Sequence, residues 1–127
     1  MQAFLLVGLG GALGAVARYG VSVVVGHFWR TQFPVATMLI NVSGSFAMGL
    51  LVGWLVRALP PGQSEIRLFV AVGILGGFTT FSAFSLDVMT LIERGDVIPA
   101  VVYALGSMLL SVLALLLGLM IFRGLAA

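Results

Sequence analysis

Thr37, Asn41 and Ser45 recur every four residues in one hydrophobic stretch of this chain, and Tyr103, Ser107 and Ser111 do so in another. Residues four apart share one face of an α-helix, so each stretch carries a polar stripe. Hydroxyls and amides set among aliphatic side chains persist mainly where they meet one another, water or a solute. Hydrogen bonding between helices is the plainer use of such groups, worth about 0.6 kcal/mol on average. Two aligned stripes, one with an Asn in mid-stretch, favour a path for a solute.

A third stretch holds Gly76-Gly77-Phe78-Thr79-Thr80-Phe81-Ser82-Ala83-Phe84-Ser85. Adjacent glycines weaken a helix by roughly 1 kcal/mol each, and a Thr beside them can cap a fresh start. The segment therefore reads as two half-helices joined by an unwound turn, where freed carbonyls suit a hard cation and the new amino terminus suits an anion. A simple kink or close-packing point is the alternative. Phe81 and Phe84 lie three apart on one face. Most such pairs only fill a core, yet a phenyl ring has a positive edge that can favour an anion without holding it as a full charge would.

What is missing narrows the chemistry further. There is no Cys and a single His, His27, which leaves no thiolate or histidine metal cluster and no Cys-His nucleophile pair. No Asp, Glu, Lys or His stands in the middle of a hydrophobic stretch, so a proton relay or central carboxylate has no candidate. The remaining donors are hydroxyls, one amide and Arg, an inventory that favours an anion. Arg18 and Asp87 fall near the same end of their stretches, which allows either an ion pair between them or an Arg18 that reaches alone to the interface.

These groups must be positioned by elements built for a bilayer. Of the 127 residues, 61% are hydrophobic and 8% charged, against about 25% charged in a soluble domain. A water-facing shell cannot be made from so few ions. The cations are six scattered Arg, which form no stripe for a nucleic-acid backbone. Four hydrophobic runs reach the length of about 20 residues needed to span hydrocarbon: Ala3 to Val25, Pro34 to Arg57, Arg67 to Ile92 and Val97 to Ile121. The expected fold is an all-α integral membrane protein, a single domain of four transmembrane helices with the third broken at its centre. Gly10 with Gly14, Gly49 with Gly53 and Gly73 with Gly77 have the spacing of close helix packing. The same glycines near the start resemble a dinucleotide loop, but Leu13 occupies the third glycine position and no strand precedes it. Ala15-Val16-Ala17 has the form of a cleavage site, although no Lys or Arg precedes it and the apolar run continues beyond.

Four spans place Arg57, Arg67 and Arg123 on one side and Arg18, Arg30 and Arg94 on the other. Orientation follows the Lys/Arg difference across the membrane, so this balance predicts insertion both ways up. Chains in both orientations assemble most simply as an antiparallel homodimer about a two-fold axis in the membrane plane.

Gly11-Ala12-x-x-Gly with Ala17-Arg18, Asn41-x-x-Gly44-x-Phe46-x-x-Gly49, and above all the Gly76 to Ser85 string closely resemble the Fluc (CrcB) family of fluoride channels, along the whole chain. The resemblance implies a dual-topology antiparallel homodimer with two pores that passively exports fluoride across a prokaryotic plasma membrane and relieves its toxicity. It also implies a structural sodium ion at the dimer centre. Carried over by motif position, Phe81 and Phe84 line the pore and Asn41 stands by the ion path, with hydroxyls from Thr80 or Ser82. Tyr103, Ser107 and Ser111 form a polar track on the fourth helix, Arg18 lines a vestibule, and the carbonyls of Gly76 and Thr79 hold sodium. Ala83 stands where the family often has Thr, and Asp87 where Glu is commoner. Two other classes compete: a small multidrug-resistance-type dimeric exporter, which wants a carboxylate in the first span that is missing here, and a non-transporting membrane assembly subunit, in which the stripes only pack.

Overall fold

The computed structural model describes residues 1–124, and among them only helices and connecting turns occur. Helix α1 runs Gln2–Phe28 and α2 runs Val35–Ala58. The third span is composite: α3 (Gln63–Ile66), a π-helical stretch Arg67–Leu75, the single turn α4 (Gly76–Phe78), and α5 (Ser82–Glu93). Helix α6 spans Val97–Gly124. Four segments are long and apolar enough to cross a membrane: α1, α2, Gln63–Glu93 and α6.

Turn chemistry sets the boundaries. Pro34 precedes α2, where its fixed φ suits a helix start. The α2 end is turned by Leu59 in the left-handed region, followed by Pro60-Pro61 and by Gly62 at φ 72°. At the end of α5, Gly95 adopts φ 87°, its amide bonds to the Ile92 carbonyl at 2.9 Å and that of Asp96 to the Leu91 carbonyl at 2.9 Å. That is a Schellman stop, which needs glycine and explains the Gly95 break in an otherwise apolar run.

Helix α2 packs along α6, and α1 packs along the π-helical stretch and α4. Small residues make both contacts close. A methyl group on Gly14 would strike the Ile74 carbonyl, and one on Gly77 would meet Gly11. A methyl on Gly49 would likewise strike the Leu115 carbonyl. Without a hydrophobic force between helices in lipid, such backbone approach is what holds the pairs. The buried cluster Leu91, Ala100 and Tyr103, flanked by Phe33, Met38, Phe84 and Val88, ties α5 to α6 and the start of α2. Outside these seams large aliphatic residues such as Leu9, Val101, Leu109 and Val112 are exposed, as suits a chain surrounded by lipid rather than water.

Candidate functional site

The site forms where the third span loses its helical course. Helix α4 ends at Phe78, Thr79 is extended (φ −79°, ψ 158°), and α5 resumes at Ser82. The glycine pair itself stays helical; the irregular residues are Thr79 to Phe81. Gly76 bonds back to the Ala71 carbonyl in the wider π pattern, while Gly77 is used for contact with α1.

Side chains replace the missing main-chain bonds. In an uninterrupted helix the Thr80 amide would donate to the Gly76 carbonyl. Here it donates to Asn41 Oδ1 at 2.9 Å, and Asn41 Nδ2 donates to the Thr80 carbonyl at 2.9 Å. The side-chain amide thus pairs with both polar groups of one residue, which also fixes which of its atoms is oxygen. The Ala83 amide, whose helical acceptor would be the Thr79 carbonyl, donates to Thr80 Oγ1 at 3.2 Å. Thr80, one residue before the Phe81 N-cap, thereby satisfies one of the free amides in the first turn of the second half-helix. Thr79 turns its own hydroxyl back to the Leu75 carbonyl at 2.9 Å. Gly44, one turn beyond Asn41, gives the Thr79 methyl and the Phe78 ring the space that a Cβ would occupy. The Asn41-x-x-Gly44 spacing therefore serves both contacts of α2 with the break.

A groove of about 780 Å³ opens beside this turn between α2, the third span and α6. It collects most of the residues singled out from the sequence: Asn41, Gly76, Thr79 and Thr80 on one flank, Phe81 and Phe84 at the break, Ser107 and Ser111 on α6. Ser45 from the first stripe also reaches it. Phe81 is 78% exposed, and its ring lies 5.5 Å from that of Phe84, centre to centre, at 32°. Ser107 is 4% exposed and its Oγ has no hydrogen-bond partner. A buried hydroxyl left unsatisfied costs about 1–3 kcal/mol, and Ser107 is one of the residues that line the groove.

Three residues sit elsewhere. Tyr103 is fully buried behind Phe84, 5.3 Å between ring centres, and its hydroxyl donates to Asp87 Oδ2 at 2.9 Å. Ser82 is exposed, with Oγ 3.4 Å from Thr80 Oγ1. Arg18 lines a separate pocket of about 250 Å³ together with Tyr19, Ser22, Thr37 and Thr80. Its Nε donates to the Gly77 carbonyl at 3.2 Å, a cation at the end of α4 where carbonyls gather. Asp87 is thus held by Tyr103 and Arg18 by the main chain, rather than by each other. The Asp87 role of Tyr103 was not visible from spacing, since sixteen residues of sequence separate the two.

The model of the family described as "CrcB-like protein, Camphor Resistance (CrcB)" matches residues 5–119. The chain belongs to the CrcB family. Relatives align over nearly all of it. A protein of Hyphomonas neptunium named fluoride-specific ion channel FluC is 50% identical over 123 residues, 97% of each chain. One of the same name from Rhodospirillum centenum is 52% identical over 123 residues, again 97% of each. A third, from a Methylobacterium, is 55% identical over 103 residues, 81% of this chain and 82% of its own. The CrcB match spans every residue of the groove.

Proposed function

We propose that this CrcB-family chain is a passive fluoride channel of the plasma membrane, not an enzyme, and that it works as an antiparallel dual-topology homodimer with two pores. The observation that carries the reading is a groove that brings Ser107, whose buried hydroxyl has no protein partner, together with Ser111, two phenyl rings and the irregular turn of the third span. The names of relatives at about half identity supply the ion. Fluoride is small and strongly hydrated, so a selective path must offer several donors in place of water. Hydroxyls of Ser107, Ser111 and Thr80 and the ring edges of Phe81 and Phe84 are spaced along the groove for this exchange. Asn41 stands beside them with one N–H beyond its Thr80 bond. Ser82 and Tyr103 belong to the edges of the path, Ser82 at the exposed turn and Tyr103 behind the rings. Arg18, in the smaller pocket, draws anions toward the break. None of these donors except Arg18 carries a full charge, which keeps binding weak enough for release.

The third span acts as two half-helices, and the carbonyls of Gly76 and Thr79 form the seat of a structural sodium ion at the dimer centre. The residues fit such a group: both carbonyls have lost their usual helical donors, to Asn41 and to Thr80 respectively, and both residues line the open groove. Oxygen ligands without charge suit a hard monovalent cation. When bound, the ion offsets the charge of nearby anions and joins the two copies.

The deciding experiment is fluoride efflux from liposomes holding the purified chain, followed with a fluoride electrode. Rapid fluoride release with no chloride release is expected. A protein that passes no fluoride, or passes chloride equally well, removes the reading.

A further inference from the structure

The two carbonyls assigned to sodium are not freed by the break alone. A loose turn would let the Thr80 amide swing back to the Gly76 carbonyl and the Ala83 amide back to that of Thr79, closing both oxygens with internal bonds. In lipid this closure is strongly favoured, because no water competes for an orphaned amide. Two side-chain oxygens stand in the way. Asn41 Oδ1 holds the Thr80 amide at 2.9 Å, and Thr80 Oγ1 holds the Ala83 amide at 3.2 Å. The Asn41 grip is two-ended, since its Nδ2 also binds the Thr80 carbonyl. That second bond fixes the peptide plane that the Oδ1 bond alone would leave free to turn. The surrounding contacts keep Thr79 in place: its hydroxyl and amide both bond the Leu75 carbonyl, and its methyl fills the space left by Gly44.

We infer that Asn41 and Thr80 are the positioning residues of the cation seat: their side-chain oxygens take the two amides that would otherwise occupy the Gly76 and Thr79 carbonyls. Neither side chain needs to touch the ion. Each acts by keeping a main-chain oxygen without a donor. Asn41 and Thr80 therefore act on the cation through the turn they hold, in addition to their place beside the anion path. The inference rests on the sodium reading above.

The test uses the purified full-length chain in detergent micelles. Thermal unfolding is followed by the fluorescence of Trp29 and Trp54 across a sodium chloride titration, with N-methylglucamine chloride holding ionic strength constant. The wild-type midpoint is expected to rise with sodium to a plateau. Thr80→Val, which lacks the acceptor at similar size, and Asn41→Leu are each expected to raise the sodium concentration of half effect by about tenfold or more, the equivalent of one lost hydrogen bond to a charged site. Thr80→Ser, which keeps the oxygen, is expected to stay within about twofold of wild type. Thr80→Ala removes the acceptor without adding bulk and carries the same expectation as the valine variant, should that one not fold. A purely structural role would lower the midpoint equally at every sodium concentration and leave the half-effect concentration where it was. That result, or a serine variant as impaired as the valine one, overturns the inference while leaving the sodium reading intact. A wild-type chain whose unfolding ignores sodium overturns both.

Discussion

A hydroxyl with nothing to bond is informative in proportion to how deeply it is buried. Ser107 Oγ is such a group, and its lack of a protein partner separates its part in folding from the part in transport proposed for it. Ser107→Ala is expected to leave stability unchanged or raise it by up to about 1–3 kcal/mol, because no protein bond is lost and an unsatisfied buried hydroxyl is removed. Fluoride efflux from liposomes is expected to fall about tenfold, the scale of one donor removed from an ion. Equal efflux from the two proteins would place Ser107 outside the path. Tyr103 is the opposite case. Its hydroxyl serves Asp87, so Tyr103→Phe leaves a half-buried carboxylate without that donor, and unfolding in mixed micelles should show a loss of about 1–3 kcal/mol. The sequence placed Tyr103 on the same stripe as Ser107 and Ser111 by spacing alone. Spacing reports which face of a helix a residue occupies; it does not report that an aromatic ring from the neighbouring half-helix packs on that face at Tyr103, while two turns on Ser111 is part-exposed on the groove.

At the scale of elements, the pairing of α1 with the third span depends on the absence of side chains. Gly14→Ala should destabilise the fold by about 1–3 kcal/mol, since the added carbon strikes the Ile74 carbonyl and backbone cannot yield cheaply. Gly8→Ala, where nothing lies within 4 Å, should be neutral or slightly stabilising. Reversible unfolding of the two variants side by side tests the contrast. The glycine spacings made this close packing legible before any coordinates. The composite winding of the third span was not. Nine residues from Arg67 to Leu75 take the wider π course, and their sequence is that of any apolar helix. The glycines at 76 and 77 pointed to an irregular turn at their own position, whereas the chain stays helical through them and departs at Thr79. The partner that decides the place is Asn41, thirty-nine residues away from Thr80. Long-range capture of an amide leaves no local trace.

For the whole molecule, the four spans could be counted from hydropathy because a bilayer imposes a length, and six Arg divided evenly between the two sides of that count. The balance makes orientation adjustable by one or two charges. Replacing Gln63 and Ser64 with Lys should drive insertion one way, and replacing Thr31 and Gln32 with Lys should drive it the other, with partner fractions read by tagging the C-terminus and probing it from each side. In cells challenged with fluoride, either variant alone should fail to restore growth, and the two expressed together should succeed. Growth from one variant alone would argue against a working pair of opposed chains. A last consequence follows from Thr80, which borders both the large groove and the small pocket beside Arg18. The two chambers have Thr80 in common, so natural selection cannot change that side chain for one room without redecorating the other. Drift at this position should be slow even where every neighbour is free to wander.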